Sequence, residues 1–287
     1  MRILPVSNFR NNYIPKQAPV SFKAHYDGLP PYGNVGDGDR YSRVRIHNYS
    51  NLIRDLGLFQ DMPKMLEDKF PDGVKIYDYG CSVGYEPVSI CLGLHNTLSE
   101  SQIEKYTPIF AFDNNKKILE KAKDFKLRFG VDEQKRLDKF ENIDKNDFFV
   151  EHRKGRDGQK LHECKDILKK EIIFEYADLF EDLDNGKLSD EPCVLLLRNA
   201  WQYMTPKGRA ELAQKLHDNL QPGSIVIIGY HDVSSDANRD LLSAGFEHVN
   251  KLYSKDLVSQ KYRAYVHLVD DIYEPAYDIK TLCFERK

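Results

Sequence analysis

A chain of 287 residues can bury about three quarters of its unfolded surface, enough for one large α/β domain with or without an appendage. Its 42 Lys plus Arg against 45 Asp plus Glu leave a formal charge of -3, with no excess of base for a phosphate backbone, so nucleic acid is excluded as a natural partner. No apolar run nears the ~20 residues of a membrane helix, Met1 to Val20 lacks the apolar core of a secretory signal, and the Cys and His show no metal-ligand spacing; the chain reads as cytoplasmic, without metal or membrane insertion.

In chain order, the first forty residues carry Pro5, Pro15, Pro19, Pro30 and Pro31 with many Gly, Asn and Asp, a composition that resists regular structure and predicts a flexible tail over 1–43. From 44 to 72, Leu52, Ile53, Leu56, Leu58, Phe59, Met62, Met65 and Leu66 fall near helical spacing. Asp61 and Pro63 predict a break between two helices there, both packing on the domain that follows.

Beyond Gly73 strands and helices alternate, the pattern of a mostly parallel sheet with helices on both faces. Strands are expected at Val74 to Tyr79, Thr107 to Phe112, Ile172 to Tyr176, Val194 to Arg198, Ser224 to Tyr230, Phe246 to Leu252 and Thr281 to Phe284, seven in all. Helices are expected from Glu86, from Lys116 to about Phe129, and from Lys207 to Leu220, the last closed by Gln221-Pro222-Gly223. One stretch, about 131–171, interrupts the alternation. Asp157-Gly158 lies there between the runs Phe148 to His152 and Gln159 to Cys164, which reads as an inserted β-hairpin subdomain.

The chemistry concentrates at strand ends. The first strand ends in Asp78-Tyr79-Gly80-Cys81-Ser82-Val83-Gly84, just before a helix. Gly80 and Gly84 let backbone approach a ligand at the carboxyl end of the strand, where open α/β sheets bind ligands. Asp113 closes the second strand, 29 residues after Gly84, where an acid accepts hydrogen bonds from ribose hydroxyls. The loop is neither G-x-G-x-x-G nor a P-loop, which disfavours pyrophosphate and triphosphate and leaves a nucleoside without phosphate.

The run Tyr79-Gly80-Cys81-Ser82-Val83-Gly84-Tyr85-Glu86-Pro87-Val88-Ser89-Ile90 resembles the G-C-S-T-G-E-E-P-Y-S-I-A motif of CheR-type chemotaxis-receptor glutamate methyltransferases. Further blocks follow in the family's order. They are Ala111 to Asn115 before Ile118 to Ala122, Ile173 to Leu179, and Leu197-Arg198-Asn199-Ala200-Trp201-Gln202-Tyr203, the last similar to C-R-N-V-x-I-Y-F. Upstream, Asn48 to Asp55 resembles N-x-T-x-F-F-R-D. Coverage is about 44 to 232. Val83 and Tyr85 depart from the family's Thr and Glu, and most of the family's N-terminal helical domain has no counterpart.

The resemblance implies a Rossmann-like class I methyltransferase domain over 73–287, with S-adenosyl-L-methionine as cofactor. It places the cofactor among Ser50, Gly80, Ser82, Gly84, Glu86, Asp113, Asp178 and Asn199, and Arg54 and Tyr203 nearest the transferred methyl. Asp178 stands where the family commonly has Asn, and taken alone it reads as a cap after the third strand. The implied reaction is O-methylation of a protein glutamate carboxylate, on receptor helices or on a protein whose short peptide docks on the inserted hairpin. The alternatives are a small-molecule acid as acceptor, or a non-catalytic module that binds cofactor or peptide. The absence of a [DN]-P-P-[YF] loop after the fourth strand argues against amino methylation.

Overall fold

The computed structural model describes residues 50–154, 159–229, 232, 236–249 and 282–287. The tail expected over 1–43, the hairpin turn at Asp157-Gly158 and the sixth strand beyond Val249 lie outside those residues.

Helix α1, Leu56–Lys69, comes first and buries Leu58, Phe59, Met62, Met65 and Leu66. It runs unbroken through Pro63, which corrects the expectation of two helices. Proline cannot bond to the carbonyl four residues back, here that of Phe59. That carbonyl lies against Gly93 of helix α2, Tyr85–Thr97, where a Cβ would come within 2.3 Å of it. The missing side chain on α2 leaves room for the carbonyl that proline releases.

Seven strands form one sheet. In chain order they are β1 Lys75–Tyr79, β2 Ile109–Asp113, β6 Ile172–Tyr176, β7 Cys193–Leu196, β8 Ile225–Ile228, β9 Phe246–His248 and β10 Leu282–Arg286, arranged β6-β2-β1-β7-β8-β10-β9. The first five in that order are mutually parallel, and β10 runs antiparallel between β8 and β9. All four residues of β7 and of β8 are buried, as expected where helices cover both faces of a parallel sheet. Helix starts are set by capping side chains. Asn115 accepts N–H bonds from Lys117 and Ile118 at the head of α4, Lys116–Lys123, and Thr205 caps α9, Pro206–Asn219. No helix among the described residues is long and apolar enough to cross a membrane.

The inserted subdomain is a second sheet, β3-β5-β4, made of β3 Lys126–Phe129, β4 Phe149–Lys154 and β5 Lys160–Cys164. The β4–β5 pair is the expected hairpin, antiparallel with Phe149 opposite Cys164. Strand β3 is a correction. The helix expected to reach Phe129 stops at Lys123, and Phe125 turns the chain with φ 51°, so the second sheet begins ahead of residue 131. His162, whose pKa burial lowers, stacks on Phe129 with ring centroids 3.5 Å apart and forms the centre of a small core with Phe149.

From β1 the chain builds outward to β2 and β6, then returns to the other side of β1 with β7. The carboxyl ends of β1 and β7 therefore flank the point where strand order reverses, the place such sheets keep for ligands.

Candidate active site

The loop after β1 is shaped for close approach. Gly80, Ser82 and Gly84 have φ of 85°, 53° and 93°. A Cβ on Gly84 would also come within 2.9 Å of the Phe174 ring, so glycine is required there on two counts. Ser82 donates its N–H to Asp113 Oδ2 at 2.9 Å, and Asn115 donates to Oδ1 at 2.8 Å. Asp113 thereby joins the loop to the end of β2, and each of its oxygens keeps a second lone pair for a ligand hydroxyl. Burial pushes its carboxyl up, while the N–H groups of Asn115 and Ser82 pull it down. Cys81 lies within the same loop, and burial first, then Asp78, Asp113 and Glu86, hold its thiol well above the usual range.

Glu86 stands in the first turn of α2. Arg198, just past β7, donates from Nη1 to Glu86 Oε2 at 2.8 Å and from Nη2 to Asp55 Oδ2 at 3.5 Å. The Arg198 side chain is 3% exposed. Burial opposes its charge, but Glu86, Asp55 and Asp78 outweigh it and push the guanidinium pKa up. Arg54 shares this neighbourhood. Burial and then Arg198 lower its pKa, while Glu86, Tyr203 and Asp232 act to raise it. Arg54, Glu86 and Tyr203, drawn from three parts of the sequence, are thus close enough for their charges to interact. Tyr203 closes the short 3-10 turn Trp201–Tyr203.

Asn199 has φ 60° and donates its N–H to Asp232. Asp232 is fully buried and also accepts the N–H of Trp201 at 3.0 Å and of Gly229 at 2.9 Å, so it ties the loops after β7 and β8 together. Asp178 caps α8, Leu179–Asp184, by accepting the Phe180 and Glu181 N–H groups. Its other oxygen accepts from Asn114, the neighbour of Asp113, at 3.3 Å. Ser50 is half-buried and lies four residues ahead of Arg54 in the chain.

Sequence reasoning gave no role to Arg198, Asp55 or Asp232, and named Asp78 only as the start of the glycine loop. A charged residue directly after a fully apolar strand was the available signal for Arg198, and Asp55 stood beside Arg54 in the quoted block. Asp78 is fully buried in β1, and burial, then Glu86, raise its carboxyl well above its ordinary value.

Four buried polar atoms here have no hydrogen-bond partner: Asp78 Oδ2, Ser82 Oγ, Glu86 Oε1 and Arg198 Nε. A buried polar atom left unpaired costs about 1–3 kcal/mol, and mostly acceptor oxygens cluster at this strand-order reversal. That donor and acceptor set suits the ammonium and hydroxyl groups of an aminoacyl nucleoside.

A doubly wound sheet with this loop, a ribose-type acid on β2 and no phosphate cradle defines the class, the Rossmann-like S-adenosylmethionine-dependent methyltransferase fold. Residues 48–248 match the family described as "CheR methyltransferase, SAM binding domain". The chain belongs to the CheR methyltransferase family, and S-adenosylmethionine is the cofactor of that domain. A chemotaxis protein methyltransferase of Listeria innocua is 25% identical over 170 residues, 59% of this chain and 57% of its own. That of Borreliella burgdorferi is 24% identical over 168 residues, 58% of this chain and 55% of its own. The matches span little more than half the length of these relatives. A solved TehB-like SAM-dependent methyltransferase from Corynebacterium glutamicum covers 80% of this chain and 88% of its own at 14% identity, with a TM-score of 0.38, a likeness too loose to argue from.

Proposed function

We propose that the domain methylates a carboxylate oxygen, that of a glutamate side chain in a protein, giving a methyl ester and S-adenosylhomocysteine. The observation that supports this reading is that Arg54 feels the charges of Glu86 and Tyr203, with Glu86 itself held by Arg198 just past β7. Glu86 would take the amino group of the cofactor and Asp113 its ribose hydroxyls. Gly80, Ser82 and Gly84 would line its near side, and Ser50, Asp178 and Asn199 would complete the pocket. When bound, S-adenosylmethionine supplies a methyl group on a sulfonium, already electrophilic.

A glutamate with its ordinary pKa of about 4.3 is ionised at about pH 7, so the acceptor oxygen needs no general base. What remains for the chain is orientation. Arg54 offers a planar fork of N–H donors and Tyr203 one O–H, the donor types that hold a carboxylate. The names of the relatives support a protein acceptor, and the β4–β5 hairpin offers an edge for a short peptide of that partner.

The test is a lysate incubated with the pure protein and cofactor labelled in the methyl group. Base-labile label in a protein band is expected. Label in the small-molecule fraction would reassign the acceptor to a small acid. Calorimetric binding of S-adenosylhomocysteine with no turnover on any fraction would favour a binding module, and absence of binding would end the enzyme reading.

A further inference from the structure

Arg54 follows a segment that forms neither helix nor strand, yet its backbone is held tightly. Ile53 has φ 51°, a left-handed conformation that a β-branched residue avoids. Two side chains from distant elements grip the peptide unit joining Leu52 to Ile53. At one end Ser89, fully buried in α2, donates its O–H to the Tyr85 carbonyl at 2.6 Å and accepts the Ile53 N–H at 2.8 Å. At the other, Arg136 Nε donates to the Leu52 carbonyl at 3.1 Å. Arg136 lies in α5, Val131–Leu137, between β3 and β4 of the inserted subdomain. Its Nη2 stands 3.2 Å from Glu133 Oε1, and Glu133 accepts the Gly130 N–H just past β3.

A peptide plane held at both its N–H and its C=O fixes where the Ile53 Cα stands, and the left-handed φ of Ile53 then sets the direction in which the next residue leaves. That next residue is Arg54, whose charge burial and then Arg198 disfavour while Glu86, Tyr203 and Asp232 favour it.

We propose that Arg136 is a positioning residue for Arg54, so that the inserted subdomain takes part in presenting the guanidinium to the acceptor. This rests on the reading of Arg54 given under the proposed function. It is tested in the full chain with Arg136→Ala and Arg136→Lys, the second keeping a donor on a similar stem.

Three readouts are needed: exchange of the Ile53 amide, affinity for S-adenosylhomocysteine, and the initial rate of base-labile labelling of lysate protein at saturating cofactor. Arg136→Ala is expected to speed Ile53 exchange and slow labelling by about tenfold or more, with affinity for S-adenosylhomocysteine unchanged. Arg136→Lys is expected to recover most of both losses. Arg136→Met, which keeps the aliphatic stem, gives the same readings should the alanine variant not fold. Unchanged Ile53 exchange and rate in Arg136→Ala overturn the proposal, as does a parallel loss of S-adenosylhomocysteine binding, which marks a general structural role. If the wild-type chain labels nothing, the catalytic reading of Arg54 falls, and Ile53 exchange still decides whether Arg136 holds the segment.

Discussion

Arg198 carries a full charge at almost complete burial, and Glu86 is its nearest anion at 2.8 Å. Removing one member of such a pair strands the other, at a cost of about 3–5 kcal/mol. Glu86→Gln is therefore expected to lower the urea midpoint substantially, with Asp55 at 3.5 Å softening the loss toward the lower figure. A midpoint within error of wild type would show that Asp55 alone suffices. Asp78 makes a different prediction. Its carboxyl is raised well above its ordinary 3.8, by burial first and then by Glu86. Below 3.8 the folded and unfolded chains both hold this proton. Above that value the unfolded chain releases it while the folded chain keeps it, so rising pH favours unfolding until the folded-state pKa is passed. Asp78→Asn removes this contribution. Its stability relative to wild type is expected to be greater at pH 8 than at pH 5, measured by urea unfolding at both. A difference that does not change with pH would mean that Asp78 is ionised in the fold.

At the scale of elements, Tyr85 shows why a departure from a family motif is not simply a lost contact. Its hydroxyl accepts the Arg128 N–H at 3.0 Å and donates to the Arg128 carbonyl, fastening the start of α2 to the free edge of β3. Tyr85→Phe leaves both peptide groups without this partner, and about 1–3 kcal/mol of stability is expected to go, with faster exchange of the Arg128 amide. Protection of that amide as in wild type would show that another group covers the edge. The parallel strands were legible because burial on both faces writes them as apolar runs, as in Val194 to Leu197 and Ile225 to Ile228. The hairpin was legible from Asp-Gly between alternating segments. Strand β3 was not, since Lys126 to Phe129 is only four residues long and follows α4 with no Gly or Pro to mark the turn at Phe125. Nor was the continuity of α1, because tolerance of Pro63 depends on Gly93 of a different helix. The site divides in the same way. Residues within one motif, such as Gly80 to Glu86, could be read together. The contact of Arg198 with Asp55 exists only once the start of α1 reaches the end of β7, and that of Asp232 with Asn199 only once β7 and β8 lie side by side.

For the whole molecule, the crevice where strand order reverses holds a local cost. Asp78, Ser82, Glu86 and Arg198 each keep a buried polar atom unpaired there, and a ligand that satisfies some of them binds the folded chain and not the unfolded one. Linkage fixes the size of the effect. At 100 times its dissociation constant, S-adenosylhomocysteine is expected to add about 2.7 kcal/mol to global stability, roughly 5–10 °C in melting temperature for a domain of this size. The proposed nucleoside contact is Asp113, the residue that joins the glycine loop to β2. Asp113→Ala is therefore expected to abolish the thermal shift. Tyr203→Phe is expected to keep the shift and slow methyl transfer about 10- to 100-fold, the worth of one hydrogen bond to a charged group. A shift that survives Asp113→Ala would move the nucleoside contact to another strand end, and a shift lost in Tyr203→Phe would make Tyr203 part of the cofactor pocket instead of a residue that orients the acceptor.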